Sequence, residues 1–340
     1  MQRALDLAAK GLGSVAPNPM VGCVIVHNDK IIAEGWHRKF GEAHAEVNAI
    51  NAVQDKSLLR ESTLYVTLEP CSHFGKTPPC ANRIVQEGIP KVVIASVDPN
   101  PLVSGKGISI LKEAGIEVTS GILESEARFL NRRFFTAQTQ KRPYVICKWA
   151  ESADGFIDPV RMEEQKGSIA ISGPESQLCN HMWRTQEQAI LVGKRTAIID
   201  NPSLTARLWP GQNPLRVVID PSLEISRKAA LYDNSVRTII FNRLETRSII
   251  NTQLIQLDFS VDIIPAILQY LHYEGIHSIL VEGGTETIQR FMQAGMVDEI
   301  RRIVAENVWL ETGIKAPEFN GAIHETNYAG NDRIELSYLF

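Results

Sequence analysis

Residues 44 to 80 hold the pattern that most restricts how this chain can fold. His44-Ala45-Glu46 is followed by Pro70-Cys71, and Cys80 closes the run. One imidazole and two thiolates are three soft ligands for zinc, and three protein ligands leave the fourth tetrahedral position to water. A fold that joins them must bring position 44 onto the segment 71–80. Ala45, Val47, Ala49, Ile50 and Val53 recur at helical spacing, which places His44 and Glu46 at a helix N-terminus. Thr63 to Leu68 reads as a strand that delivers Cys71 at its C-terminal end, with Pro79 opening a helix to Glu87 and Gly88 as its cap. Helix N-termini carry unpaired N–H groups and partial positive charge, which favour thiolate over thiol. Glu46, two residues from the histidine, is placed to move protons to and from a bound water. A lone histidine or a buried cysteine is ordinarily structural, but the joint pattern points to a catalytic zinc site. The alternative is a closed structural site with His73 as fourth ligand.

The rest of the chain bounds what surrounds that site. At 340 residues it is comfortable for two domains. With 44% hydrophobic and 22% charged residues it has an ordinary globular balance. A net charge of −4 removes the electrostatic case for a dedicated nucleic-acid binder. The N-terminal residues show no signal-peptide apolar core, and no run reaches the roughly 18 apolar residues of a membrane span. Five scattered cysteines (Cys23, Cys71, Cys80, Cys147, Cys179) suit a reducing cytoplasm better than a disulfide framework.

Strands alternate with helices throughout, the mark of layered α/β domains. The first domain is expected to read helix 4–12, a hairpin over 21–34, helix 44–53, strand 63–68, helix to 87, strand 91–97, helix 108–114, strand 116–119 and one long helix over about 123–138. Lys141-Arg142-Pro143 marks the boundary, giving domains 1–142 and 143–340. The second alternation has strands near 144–149, 189–193, 215–219, 236–241, 278–281 and 298–304. Its helices are near 174–185, 262–274 and 284–294, and a strand ends the chain.

Ala16-Pro17-Asn18-Pro19-Met20-Val21-Gly22, Gly35-Trp36-His37, His44-Ala45-Glu46 and the Pro70–Cys80 segment resemble the bifunctional riboflavin-biosynthesis deaminase/reductase family. The His-x-Glu signature with a later Pro-Cys is that of zinc-dependent nucleobase deaminases. The longer gap here, Ser-His-Phe-Gly-Lys-Thr-Pro-Pro between Cys71 and Cys80, sets the chain apart from cytidine and tRNA deaminases, which usually have two residues there. In the second half, Lys148–Gly155, Ala189–Thr196, Asp200–Arg207 and Val281–Thr285 are similar to the family's reductase domain.

The resemblance implies a cytidine-deaminase-like α/β/α sandwich followed by a dihydrofolate-reductase-like α/β domain. It implies zinc on His44, Cys71 and Cys80, Glu46 as proton shuttle, and substrate contacts from Asn18, His37, His73 and Lys76. A phosphorylated pyrimidine wants cationic donors near the metal, and His37, His73 and Lys76 are the candidates. For the reductase it implies substrate contacts from Lys148, Ser168, Arg184, Leu204, Arg207 and Glu282, with Arg184 and Arg207 as phosphate clamps. NADPH is implied at Glu151, Ala170, Thr196, Asp200, Gly283, Gly284, Thr285, Glu286 and Thr287. A strand ending in Gly-Gly before a helix exposes N–H groups for a dinucleotide phosphate, although the pattern alone is weak.

Three positions depart from the family: Ala170 where a large side chain is frequent, Asn201 where aspartate is common, and Glu151 where a small residue is usual. The stretch 305–320 fits poorly and carries no assigned residue. The resemblance also implies a homo-oligomer, dimer or tetramer. The rival readings are a nucleic-acid-editing deaminase with an appended domain, a structural zinc module with a binding domain, and a deaminase with an inactive reductase half.

Overall fold

The computed structural model describes residues 1–72, 78–100, 103–161 and 166–339. Two units are present, Met1–Lys141 and Arg142–Phe340.

In the first unit, α1 (Gln2–Ala9), β1 (Gly22–His27), β2 (Lys30–Trp36), α2 (Ala45–Ala52), β3 (Thr63–Leu68), α3 (Cys80–Glu87), β4 (Lys91–Ser96), α4 (Lys106–Glu113), β5 (Glu117–Ser120), α5 (Glu124–Leu130) and α6 (Arg132–Gln140) follow in order. The sheet runs β2-β1-β3-β4-β5. β1 is antiparallel to β2 and β3, whereas β3, β4 and β5 are parallel. Leu68 lies opposite Ser96, so the C-terminal ends of β3 and β4 open at one edge. Apolar side chains of β1, β3 and β4 fill the core with Ala45, Ala49 and Ile50 of α2 and Ala81 and Ile84 of α3. Gly35 lets α2 lie close on β2, because a Cβ there would come within 2.3 Å of the Ala49 nitrogen. That close approach places the N-terminus of α2 over the sheet.

The expected single helix over 123–138 is two helices. Asn131 sits between α5 and α6 with φ −95° and ψ 20°, and its side chain is bonded to the backbone of Met20. Helical periodicity runs through residue 131, and a partner 111 positions away decides the break.

The second unit contains β6 (Tyr144–Ser152), β7 (Phe156–Pro159), α7 (Pro174–Gln186), β8 (Ala189–Gly193), α8 (Lys194–Asp200), β9 (Leu215–Ile219), β10 (Thr238–Asn242), β11 (Arg247–Ile249), β12 (Thr252–Gln256), α9 (Ile264–Tyr273), β13 (Ser278–Val281), α10 (Thr285–Gln293), β14 (Glu299–Ala305), β15 (Gly313–Lys315), β16 (Glu325–Ala329) and β17 (Asp332–Tyr338). Its large sheet runs β11-β12-β10-β9-β8-β13-β6-β14-β17-β16. From β12 to β14 neighbours are parallel, with antiparallel pairs at both edges. β13 lies between β8 and β6, with Val281 opposite both Leu191 and Cys147. The next residues, Glu282 just past the end of β13 and Lys148 within β6, therefore continue side by side. The buried central strands read as continuous apolar runs, as parallel sheets covered on both faces do. Among the described residues, no helix is long and apolar enough to cross a membrane.

Candidate active sites

The three sequence-predicted ligands meet. His44, Cys71 and Cys80 bring their ligand atoms within 4.8 Å of one another. His44 Nδ1 lies 3.6 Å from Cys71 Sγ and 3.3 Å from Cys80 Sγ. Each position has a backbone cause. His44 is the extended residue before α2, Cys71 follows the end of β3, and Cys80 opens α3 with Pro79 before it. The Cys80 backbone N–H donates to Cys71 Sγ at 3.3 Å, so the α3 N-terminus supports a thiolate there.

In the absence of a cation the two sulfurs cannot both ionise. The Cys80 thiol, hydrogen-bonded to Cys71, holds Cys71 well below the usual thiol range; the same contact and burial push Cys80 far above it. A dication relieves that conflict, since two thiolates and an imidazole at this spacing match zinc, with Zn–S about 2.3 Å and Zn–N about 2.0 Å. The donor set fits the metal.

Glu46 lies in the first turn of α2 and is 3% exposed. Burial pushes its carboxyl up to about 7, with the neighbouring Cys71 sulfur adding to the rise. A carboxyl so tuned is suited to taking and returning a proton near neutrality.

Asn18 and His37 are brought together, with Asn18 Nδ2 3.2 Å from His37 Nε2. His37 Nδ1 lies 3.1 Å from the Ala43 carbonyl, and its ring stands edge-on to His44 at 5.6 Å. A carbonyl only accepts, so Nδ1 carries the proton and Nε2 accepts from Asn18. The expectation of His37 as a cationic phosphate donor is corrected. Its burial lowers its pKa, and the network uses the neutral ring. His73 and Lys76 lie outside the described residues.

Sequence reasoning missed Glu69. This buried carboxylate accepts from the backbone N–H groups of Asp98 (3.3 Å), Gly105 (3.0 Å), Gly107 (2.9 Å) and Ile108 (3.3 Å). It ties the loop entering α4 to the segment that delivers Cys71. A carboxylate directly before Pro70-Cys71 was the available signal.

In the second unit a cavity of about 1060 Å³ opens at the strand ends. Lys148, Ser168, Ala170, Thr196, Asp200, Glu282, Gly283, Gly284, Thr285, Glu286 and Thr287 all line it. Gly193 lets β8 approach α10 there, because a Cβ would come within 2.3 Å of Thr287 Oγ1. Gly284 is the N-cap of α10, so the free N–H groups of that helix open beside the cavity, as a dinucleotide phosphate requires. The chain thus supplies a helix N-terminus, a polar floor and room for a dinucleotide.

Arg184, Leu204, Arg207 and Glu151 are not among the described residues lining it. Arg184 donates from Nε and Nη2 to the two Glu282 oxygens at 2.8 and 2.7 Å, and from Nη1 to the Thr205 carbonyl at 3.0 Å. The expected phosphate clamp is therefore a fork that holds Glu282. Burial opposes the Glu282 charge, yet Arg184 prevails and keeps the carboxyl at about 2. Lys148 is 8% exposed, and burial lowers its pKa against the pull of Glu282.

Leu204 is buried in a left-handed turn, and exposed Arg207 reaches back to Ser203 Oγ at 3.1 Å. Glu151 is turned into the sheet, accepting from Trp149 Nε1 at 2.6 Å and paired with Arg302. That corrects its expected contact with the cofactor. Asn201 takes a left-handed conformation and accepts from the Ala230 N–H at 2.8 Å, a turn role. Arg161, Asn180 and Ile314 line the cavity without a sequence signal. Ile314 comes from the 305–320 stretch left unassigned above, which pairs with β7.

With this geometry, the comparisons with known proteins are specific. The profile described as "Cytidine and deoxycytidylate deaminase zinc-binding region" matches residues 1–96, and "RibD C-terminal domain" matches residues 143–306. The riboflavin biosynthesis protein RibD of Aquifex aeolicus is 41% identical over 91% of this chain and 86% of its own length. That of Escherichia coli is 37% identical over 88% and 85%. The structure of a diaminohydroxyphosphoribosylaminopyrimidine deaminase/5-amino-6-(5-phosphoribosylamino)uracil reductase from Thermotoga maritima superposes with a TM-score of 0.89 at 36% identity, covering 99% of this chain and 96% of that one. Acinetobacter baumannii RibD gives 0.87 at 32%, covering 98% and 96%. A His/Cys/Cys centre in the first unit, a dinucleotide-sized cavity in the second and full-length relatives converge: the chain belongs to the RibD family of riboflavin-biosynthesis enzymes, in which a zinc-dependent deaminase domain precedes an NADPH-dependent reductase domain.

Proposed function

We propose that the first unit hydrolytically deaminates 2,5-diamino-6-(5-phosphoribosylamino)pyrimidin-4(3H)-one. The second unit then reduces the ribosyl group of 5-amino-6-(5-phosphoribosylamino)uracil to ribityl with NADPH. The observation that carries this reading is the meeting of His44, Cys71 and Cys80 beside buried Glu46. Zinc held by these three ligands supplies Lewis acidity that activates water near neutral pH. Glu46 takes a proton from the attacking water and passes it to a ring nitrogen; it then takes the remaining hydroxyl proton of the tetrahedral adduct and delivers it to the amine, which leaves as ammonia. Asn18 and His37 orient the ring beside His44, and His73 and Lys76 meet the phosphate.

In the second unit the Gly283–Thr287 segment, Thr196 and Asp200 bind NADPH, which supplies the hydride. Lys148 and Glu282 face the ribose, with Glu282 held by Arg184 and the phosphate met by Arg207. Ser168, on the cavity lining, completes the substrate contacts. The scattered thiols support a cytoplasmic setting, and the family resemblance supports a homo-oligomer, dimer or tetramer.

The test supplies the diaminopyrimidinone ribose phosphate and follows ammonia and NADPH oxidation separately. Ammonia should appear without NADPH, and NADPH oxidation should follow it. NADPH consumption with no ammonia would overturn the order of steps, and ammonia without any NADPH oxidation would establish the inactive-reductase reading.

A further inference from the structure

The helix break at Asn131 has a partner in the deaminase site. Asn131 is 2% exposed, and its side-chain amide makes two reciprocal hydrogen bonds to one residue. The Met20 N–H donates to Asn131 Oδ1 at 2.7 Å, and Asn131 Nδ2 donates to the Met20 carbonyl at 2.8 Å. β1 begins at Gly22, so Met20 lies before the ladder, and the amide stands in for a strand neighbour. The Met20 side chain is itself packed among Ala8, Val15, Leu12 and Leu130.

The segment so fixed carries the substrate side of the site. Two residues before Met20, Asn18 donates its own N–H to the Val15 carbonyl and meets His37 through its side chain. One residue after it, the Val21 carbonyl accepts the His37 N–H at 2.9 Å. Both contacts to His37 therefore flank Met20, the residue whose N–H and carbonyl Asn131 holds. The zinc ligands stand on α2, the end of β3 and α3, outside this segment.

We propose that Asn131 is a positioning residue of the deaminase site, acting through the 18–21 segment to set Asn18 against His37. It fixes the orientation of the aminopyrimidine ring without touching it. This rests on the assignment of Asn18 and His37 to substrate binding made above. One Asn18 amide N–H donates to His37, and the carbonyl oxygen, the only acceptor on the side chain, is the group suited to an amino-substituted ring; Asn131 determines where that oxygen stands.

The test measures ammonia release from the diaminopyrimidinone ribose phosphate, with zinc content determined in parallel, for Asn131→Ala, Asn131→Asp, Asn18→Ala and the double variant Asn18→Ala/Asn131→Ala. Loss of a positioned binding group should raise KM about tenfold in Asn131→Ala while kcat falls less than about threefold and zinc stays at one per chain. If Asn131 acts through Asn18, the double variant should match the KM of Asn18→Ala within about twofold. Asn131→Asp keeps the shape and the acceptor for the Met20 N–H but sets a carboxylate against the Met20 carbonyl. It should raise KM as well, and it carries the test should the alanine variant not fold. Unchanged KM in both Asn131 variants, defects that multiply in the double variant, or zinc lost in step with activity would each overturn the role of Asn131. No ammonia from the wild type would instead overturn the parent assignment, and this inference with it.

Discussion

The deaminase site takes its His/Cys/Cys set and the buried carboxyl of Glu46 from the stretch between His44 and Cys80, all presented by helix starts and one strand end. The reductase cavity gathers its lining from Lys148 to Ile314, across the ends of several parallel strands and the loops beyond them. The first site is held by chemistry that needs particular elements at particular spacings. The second is held by shape and by an ion pair, Arg184 on Glu282, that the fold brings together across 98 positions. A zinc ligand set is recognisable from spacing because only a few residue types bind the metal. A dinucleotide cavity is not, because backbone N–H groups and small side chains do most of the binding.

The sharpest way to separate the two sites is Cys71→Ser. Zinc should be lost on metal analysis and ammonia release should vanish, while the reductase step, assayed with the deaminated intermediate, proceeds at the wild-type rate. A reductase that also fails would show that the sites are not independent. Next, Glu46→Gln should keep full zinc and lower ammonia release by about 10²–10⁴-fold, the usual worth of a positioned acid–base group. Substantial residual turnover would remove Glu46 from the proton-transfer role.

On the other side, Arg184→Ala leaves Glu282 buried without its partner. Thermal unfolding of the second unit should show a loss of about 3–5 kcal/mol, with reduction impaired and zinc content unchanged. A melting point unmoved by the change would mean that the fork contributes little.

The smallest effect expected is one of pH. His181, one turn before Arg184 on α7, is held down at about 4 by burial first and then by Arg184 and Arg207. The unfolded chain binds a proton near the ordinary value of 6.5, and the folded one does so only near 4. Stability therefore falls as pH drops through that window. His181→Gln should flatten the slope there without changing stability at pH 8. Glu282 adds a second, lower window: its folded value near 2 lies below the usual 4.5, so its contribution is present above 4.5 and fades as pH falls toward 2.

Much of the first unit could be read from the chain. The strand ending before Glu69, the helix start at His44 and the Pro79–Cys80 helix opening stand where periodicity and end signals put them. The break at Asn131 did not show, because a helix interrupted by a distant hydrogen bond keeps its periodic pattern. Among the reductase residues, the Gly283–Thr287 turn was visible as a strand-to-helix glycine pair and does line the cavity. The directions of Arg184 and Glu151 were not visible. Both are long side chains whose positions depend on a partner far along the chain, Glu282 for one and Arg302 for the other.

The sequence by itself determined that two thiols and an imidazole belong to one metal, since their chemistry admits few other uses in that spacing, and that α/β layers surround them. Tertiary structure decided which charged groups face a ligand and which face each other. It made His37 a neutral hydrogen-bonding residue, turned Arg184 from a clamp into a support, and split the last helix of the first unit at Asn131. Burial is the physical reason. Once water is excluded, a polar group must take whatever partner the fold supplies, and that partner is set by contacts far apart in the chain.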